Sequence, residues 1–210
     1  YTRRTLGEFH RIALYIQQVL RAKKGNYLIF FPSYRFMEDV YEQFLAVNEQ
    51  EADCMMQSGN MNEADREEFI QEFSNPRGKS LAAFCVLGGI FSEGIDLAED
   101  RLIGAIIVGT GLPQVCNERE LLKQYFDAKK MSGFDFAYLY PGMNKVLQSA
   151  GRVIRTESDK GVIVLLDVRF LDNRYQAIFP REWKQYQLCQ LNHVTDTVAA
   201  FWQDKNKERI

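Results

Sequence analysis

The sequence predicts an α/β domain with a mostly parallel central sheet and helices on both of its faces. Its strand-like runs are apolar throughout, and they alternate along the chain with segments that are apolar on one side only. Strands without a polar face are typical of parallel sheets, because crossover helices cover both faces of such a sheet. Ligands of these sheets bind beyond the carboxyl ends of the strands, so a site is expected in the loops there.

Short apolar runs bounded by Gly, Pro, Asn or Ser predict the strands. They cover about residues 27–31, 53–57, 81–87, 103–108 and 161–168. We find no repeat and no low-complexity tract, and no linker is long enough to require a second domain. Residues 1–210 are therefore expected to form one domain, in which residues 1–24 supply a leading helix.

Each helix is predicted from an apolar stripe at helical spacing and from a residue that starts or ends it. The first helix begins with the capping-box pattern of Thr5 to Glu8 and ends near Gly25. Ser33 can cap the second helix, and Pro113 is expected to open the fourth. The predicted helices cover about residues 6–23, 34–48, 62–74, 113–130 and 194–204, and a further helix follows Pro141 and includes residues 146–155.

The composition indicates the class of protein but does not identify its partners. Hydrophobic residues make up 46% of the 210-residue chain, which is enough for one substantial core. A net charge of -2 neither indicates nor excludes a nucleic-acid partner, since a local patch can bind one. No apolar run approaches the roughly 18 residues that span a bilayer, and the chain starts without Met or a signal-peptide core. We expect a cytoplasmic piece of a longer protein with no membrane partner.

The four cysteines include no CxxC pair, and only two histidines are present. Metal sites usually need closely spaced ligand pairs, so no metal site is expected. Cys54 and Cys85 lie in apolar runs, where a free thiol acts as a small hydrophobe.

The segment before the last strand separates polar from apolar residues if it is helical. Gln148, Arg152 and Arg155 are spaced i, i+4, i+7 and would fall within an arc of roughly 60°, with Asn144 and Lys145 flanking the same side. Arginine keeps its charge and offers donors in a fixed plane, so two in register suit a polyphosphate. A solvated face with ordinary arginines explains the helix taken alone equally well.

Two glycine-rich stretches imitate nucleotide-binding motifs without completing them. Gly78-Lys79-Ser80 ends like a phosphate-binding P-loop, but Phe73 replaces the first glycine and a strand follows instead of a helix. The stretch from Gly109 to Gln114 begins like a dinucleotide fingerprint but lacks its third glycine. The chain therefore encodes no complete hydrolase, and the arginines describe half of a site.

Two motifs together resemble motifs V and VI of superfamily 2 helicases. Their sequences are Ser92-Glu93-Gly94-Ile95-Asp96 and Gln148-x-x-Gly151-Arg152-x-Ile154-Arg155, and Asp167-x-Arg169 follows them. This pattern resembles the XPD/DinG family, and bacterial DinG-like helicases most of all. The Phe30 to Tyr34 stretch and the Gly111-Leu112-Pro113 turn agree in order and spacing. The resemblance covers about residues 25–205.

The resemblance implies a RecA-like three-layer domain that forms the second, C-terminal motor domain of an ATP-dependent DNA helicase. ATP with Mg²⁺ would be held mainly by a first RecA-like domain, which is not in this sequence. In this family the iron-sulfur cluster, where present, also belongs to that first half, so none is expected here. The implied partners are single-stranded DNA and the first domain, the implied polarity is 5′ to 3′, and this piece alone is expected to be inactive.

Site roles follow from the same resemblance. Arg152 and Arg155 would act as arginine fingers on the γ-phosphate, and Gln148 would orient a phosphate or the attacking water. The implied nucleotide contacts are Glu93, Gly94, Asp96 and Gly151. The implied contacts to single-stranded DNA are Ser33, Tyr34, Arg35 and Ser92, with Tyr34 stacking on a base.

Structural alternatives remain open for several of these residues. Asp96 could be a turn residue, Glu93 a solvated carboxylate, and Ser33 a plain helix N-cap. Asp167 and Arg169 are expected to form an internal salt bridge that braces the arginine helix. For the whole chain, the alternative function is a non-catalytic nucleic-acid-binding or protein-binding module that kept the fold.

Overall fold

The computed structural model describes residues 4–92, 101–154 and 159–204. Its centre is a five-stranded sheet in the order β2-β3-β1-β4-β5. The strands are β1 (Asn26–Phe31), β2 (Ala52–Met56), β3 (Ser80–Val86), β4 (Gly104–Val108) and β5 (Val162–Leu166). Every neighbouring pair is parallel, which confirms the predicted sheet.

Seven α-helices connect or flank these strands within the described residues. They are α1 (Leu6–Ala22), α2 (Tyr34–Val47), α3 (Glu63–Gln71), α4 (Asn117–Ala128), α5 (Tyr140–Ala150), α6 (Asn173–Gln176) and α7 (Val194–Gln203). No helix in the described ranges is both long enough and apolar enough to cross a bilayer.

The apolar character of β1 explains the three layers. Leu28 and Phe30 point into a core that contains α3, α5 and α6, whereas Ile29 and Phe31 point into a core that contains α1, α2 and α7. Because successive side chains of a strand point to opposite faces, a strand that is apolar at every position needs a cover on both. The predicted arrangement of helices on both faces of the sheet is confirmed.

Two helix starts form as the sequence predicts. The hydroxyl of Thr5 accepts from the Glu8 backbone N–H, and the Ser33 hydroxyl accepts from that of Phe36. Each bond satisfies one of the backbone donors that a helix N-terminus leaves without a partner. Ser33 thereby fixes where α2 begins, directly after β1.

The fourth helix starts later than predicted, at Asn117 instead of Pro113. Tertiary contacts hold the chain before it, because Gly111 has a φ of +64° and a Cβ there would lie 2.9 Å from the Gly142 carbonyl oxygen. The segment runs along the start of α5 before it can turn into α4. The apolar stripe of α4 is also not a core face, since Leu121 and Tyr125 are exposed.

The arginine-bearing helix ends earlier than predicted. A five-residue π-helix, Asp135–Leu139, leads directly into α5, which ends at Ala150. Beyond that point the Arg152 N–H bonds to the Ser149 carbonyl at 3.3 Å, an i to i+3 bond that tightens the chain. The prediction of a regular helix through Arg155 is therefore wrong, and Arg152 lies in a turn after the helix.

Candidate functional site

The loops that follow β3 and β4 lie at the carboxyl edge of the sheet, where the fold class predicts a site. The chain leaves β3 and β4 through Gly88 and Gly109, whose φ angles are +71° and +80°. L-residues with a Cβ rarely adopt this backbone conformation, so glycine is favoured at both turns. The Gly88 loop and the end of α5 meet at this edge.

Ser92 is the polar centre of that meeting point. It has no exposed surface, yet its hydroxyl oxygen accepts from the Gly88 N–H at 3.0 Å and donates to the Val86 carbonyl at 3.2 Å. The buried Ser149 hydroxyl on α5 donates to the same oxygen at 3.2 Å. These bonds close the loop on itself and fasten it to the helix.

Arg152 makes the second connection between loop and helix. Its guanidinium Nε donates to the Ser92 carbonyl oxygen at 3.0 Å. We call Val86, Gly88, Ser92, Ser149 and Arg152 the Ser92 cluster. It joins residues that are 57 and 60 positions apart in the sequence. The bond to the Ser92 carbonyl also restricts the orientation of the Arg152 guanidinium.

A second group lies where β1 ends and α2 begins. Tyr34 is 36% exposed, and its hydroxyl accepts from the Gln57 amide at 3.0 Å. The other end of the Gln57 amide accepts from the Val86 N–H at 3.0 Å, although Gln57 itself is almost completely buried. Gln57 therefore links the start of α2 to the end of β3. Arg35 follows Tyr34 and is exposed.

Sequence reasoning gave Gln57 no role. The available signal was a polar residue at the end of the apolar run of β2, at the edge where a site was expected. Its side-chain hydrogen bonds reach Tyr34 on α2 and Val86 on β3, and no local pattern indicates either contact.

Asp167 and Arg169 form the predicted salt bridge. The carboxylate of Asp167, 1% exposed, accepts from Nη2 of Arg169 at 2.6 Å and from its Nε at 2.9 Å. The pair lies directly after β5, and a Cβ on Gly109 would come within 4.0 Å of the carboxylate. A doubly bonded guanidinium and carboxylate hold a fixed relative orientation, so the pair is a rigid part of the same edge. The bracing of the arginine segment stays a prediction.

Thiol and metal chemistry have little support in the described part of the chain. Burial raises the pKa of the Cys54 thiol to about 11 and raises the pKa of the fully buried Cys85 thiol well above its usual value, so neither is a thiolate near neutral pH. The described residues hold no group of three or more His, Cys, Asp or Glu side chains that could bind a metal ion.

A family model described as the helicase C-terminal domain matches residues 16–186. The match covers most of the sequence and includes the Ser92 cluster. The chain belongs to this family. The resemblance to the second motor domain of XPD/DinG-type helicases is thereby confirmed.

Relatives of this helicase C-terminal domain are considerably longer proteins. A regulator of telomere elongation helicase 1 homolog from Caenorhabditis briggsae is 30% identical over 153 residues, which cover 68% of this chain and 15% of the relative. The ATP-dependent DNA helicase YoaA of Escherichia coli is 26% identical over 176 residues, covering 82% of this chain and 26% of that helicase.

Solved structures agree with the fold. An XPD helicase gives a TM-score of 0.66 at 23% identity and covers 84% of this chain and 31% of its own. The C-terminal domain of the DEAD-box protein Dbp5 gives 0.51 at 14% identity and covers 92% of this chain and 91% of its own. At these identities the likeness establishes the fold, and the RecA-like three-layer prediction is confirmed.

Within the helicase C-terminal domain, motif VI is divided between a helix and the turn after it. Gln148 and Gly151 are exposed at the end of α5, and Arg152 lies beyond it. Arg155 lies outside the described residues, as do Glu93, Gly94 and Asp96 of motif V. Their roles stay predictions.

The structure argues against the predicted contact between Ser92 and DNA. The hydroxyl is completely buried and takes part in three internal hydrogen bonds. A phosphate could reach it only if those bonds broke, which would leave buried polar groups without partners. In this domain Ser92 connects motif V to motif VI.

The Ser92 cluster predicts unequal costs for its two hydroxyls. Ser92→Ala should lower the free energy of unfolding by about 1–3 kcal/mol, because it leaves the Gly88 N–H and the Ser149 hydroxyl without a partner. Ser149→Ala should cost less than about 1 kcal/mol, since the Ser92 hydroxyl keeps its other two bonds. Urea denaturation of the 210-residue chain and both variants measures the difference. Equal costs would show that Ser92 is not the centre of the cluster.

Proposed function

We propose that this chain acts as the second motor domain of an ATP-dependent DNA helicase, with ATP held against a first RecA-like domain of the same polypeptide. The observation that carries the proposal is the contact between Arg152 and the Ser92 carbonyl, which joins motif V to motif VI at the ligand-binding edge of the sheet. Membership of the helicase C-terminal domain family supports it.

The arginine segment would supply charge to the transition state of phosphoryl transfer. Arg152 and Arg155 would act as fingers on the γ-phosphate, and Gln148, exposed at the end of α5, would orient a phosphate oxygen or the attacking water. Glu93, Gly94, Asp96 and Gly151 would border the nucleotide. The Mg²⁺ that accompanies ATP would be bound mainly by the first domain.

The Ser92 cluster gives these groups a common support. Motif V starts at the residue that Arg152 contacts, so the loop and the arginine segment should move together when the two motor domains close on ATP. Closure and opening during each hydrolysis cycle would then step the protein along one DNA strand. In this arrangement the helicase C-terminal domain completes the ATP site without binding the nucleotide by itself.

The start of α2 is the proposed contact with single-stranded DNA. Helix N-termini bind phosphate well because their first N–H groups lack intrahelical partners, and the first turn of α2 carries no acidic residue. Arg35 is exposed there, and Tyr34, which is 36% exposed, would stack on a base. Ser33 contributes as the cap, so its hydroxyl is occupied by the Phe36 N–H.

The finger role predicts a large loss of ATP turnover in Arg155→Ala. In the full-length protein, DNA-stimulated ATP hydrolysis should fall by about 10³-fold or more, because a lost finger leaves transition-state charge uncompensated. Arg155→Lys should remain strongly impaired, since an ammonium cannot replace the guanidinium fork.

Arg66 provides the matched control, because it is an exposed arginine on α3. Arg66→Ala should hydrolyse ATP at the wild-type rate. If Arg155→Ala stays within a factor of two of wild type, the finger assignment is wrong and the non-catalytic module becomes the better description.

The stacking role predicts that the ring of Tyr34 matters more than its hydroxyl. Tyr34→Ala should weaken binding of single-stranded oligothymidylate by about tenfold, the usual effect of removing one stacked aromatic. Tyr34→Phe loses only the bond from Gln57 and should stay within about threefold of wild type. Fluorescence anisotropy of labelled DNA with the full-length protein measures both, and equal losses would argue against stacking.

A further inference from the structure

Lys145 lies on α5 one turn before Ser149, on the side that packs against the loop after β3. Its side chain crosses Gly88 so closely that a Cβ there would lie 3.0 Å from both Cδ and Cε of the lysine. The lysine stem is therefore in van der Waals contact with the backbone of the Gly88 loop, and the residue as a whole is half-buried.

Gly88 allows this contact in two ways. Its φ of +71° disfavours a side chain, and the missing Cβ is the space that the lysine methylenes occupy. The Gly88 N–H is fixed by the Ser92 hydroxyl, which Ser149 holds from α5. The position of the lysine stem is thus set by packing against a tethered loop.

The Lys145 ammonium, unlike the stem, has no bonding partner among the described residues. None of the ion pairs among the described residues includes Lys145, and its ammonium accounts for none of the hydrogen bonds there. Ordering a long lysine stem costs conformational entropy, so a stem that is held while its charge stays unpaired suggests a ligand for that charge. The ammonium extends from the carboxyl edge of β3, where ligands of parallel sheets bind.

We propose that the Lys145 ammonium binds a phosphate group at this edge, either of the DNA backbone or of the nucleotide. Both sources offer the same chemistry, because in each an oxygen of a negatively charged phosphate group accepts a hydrogen bond from the ammonium. The inference rests on the proposed function, since it assigns one more residue to the site that the Ser92 cluster supports.

The test uses Lys145→Met in the full-length protein, because methionine keeps an unbranched stem against Gly88 and removes the charge. Lys145→Arg keeps the charge. Lys79→Met is the matched control, since Lys79 is exposed just before the amino end of β3, at the opposite edge of the sheet. An unchanged thermal midpoint in each variant shows that packing is preserved.

A contact to DNA is measured by the affinity for oligothymidylate as a function of salt. Loss of one phosphate contact reduces the slope of log K against log salt by about 0.7, which equals about fivefold weaker binding at 0.1 M salt. Lys145→Met should show both changes, with Lys145→Arg close to wild type and Lys79→Met unchanged.

A contact to the nucleotide is measured by steady-state ATP hydrolysis at saturating DNA. Lys145→Met should then lower kcat/KM for ATP by at least about tenfold, the usual effect of losing a hydrogen bond to a charged group. The DNA salt slope should stay at the wild-type value, and Lys145→Arg should recover most of the activity.

Either pattern supports the phosphate contact and identifies its source. If Lys145→Met matches Lys79→Met in both measurements, the lysine is only a packed surface side chain and the inference is overturned. A different result would contradict the proposed function, namely a wild-type full-length protein that shows no DNA-stimulated ATP hydrolysis.

Discussion

The buried hydroxyl of Ser92 is the interaction on which this site depends. It has no contact with solvent, so every hydrogen bond it makes is within the protein, and a missing one would cost the full desolvation of its partner. Through this one side chain the loop after β3 is closed and attached to α5. The adjacent carbonyl then receives Arg152. In the proposed motor, the motif V loop and the arginine segment would have to keep a fixed relation while the domains move, and these bonds to Ser92 would hold them together.

The packing at the start of α5 is a second constraint on the site. Gly111 and Gly142 pack backbone against backbone, since a Cβ on either would lie within 3.0 Å of a carbonyl oxygen of the other segment. Pro141 has no N–H to give to the Ala137 carbonyl, and the Arg119 guanidinium donates to that oxygen at 3.1 Å instead. The helix that carries Gln148 is thus positioned by close backbone contacts and by a side chain from α4, before any ligand binds.

Much of the fold follows from local patterns in the sequence. The strands are apolar on both faces, and the caps at Thr5 and Ser33 form where hydroxyl side chains precede helical stripes. These features depend on a few neighbouring residues, so the sequence alone indicates them. The start of α4 and the end of the arginine-bearing helix do not follow from local patterns, because contacts between Gly111 and Gly142 and the burial of Val153 decide them.

The sequence indicates the edge of the sheet at which motif V and motif VI meet, and Arg152 lies there, but it does not indicate the polar contacts at that edge. Ser92 was expected to face DNA, because a serine in a motif looks the same whether its hydroxyl points outward or inward. Gln57 bonds to Val86, which is 29 positions away in the sequence, and Lys145 packs against Gly88, which is 57 positions away. These partners come together only once the sheet is assembled.

We propose that this chain completes an ATP site that it cannot form alone, and ATP turnover by the isolated 210-residue chain tests this proposal most directly. With Mg²⁺, ATP and saturating single-stranded DNA, we expect the isolated chain to release phosphate at the rate of the buffer blank. The full-length protein under the same conditions should turn over ATP. Hydrolysis by the isolated chain that disappears in Arg152→Ala would contradict the proposal, because it would show a complete ATP site within these residues.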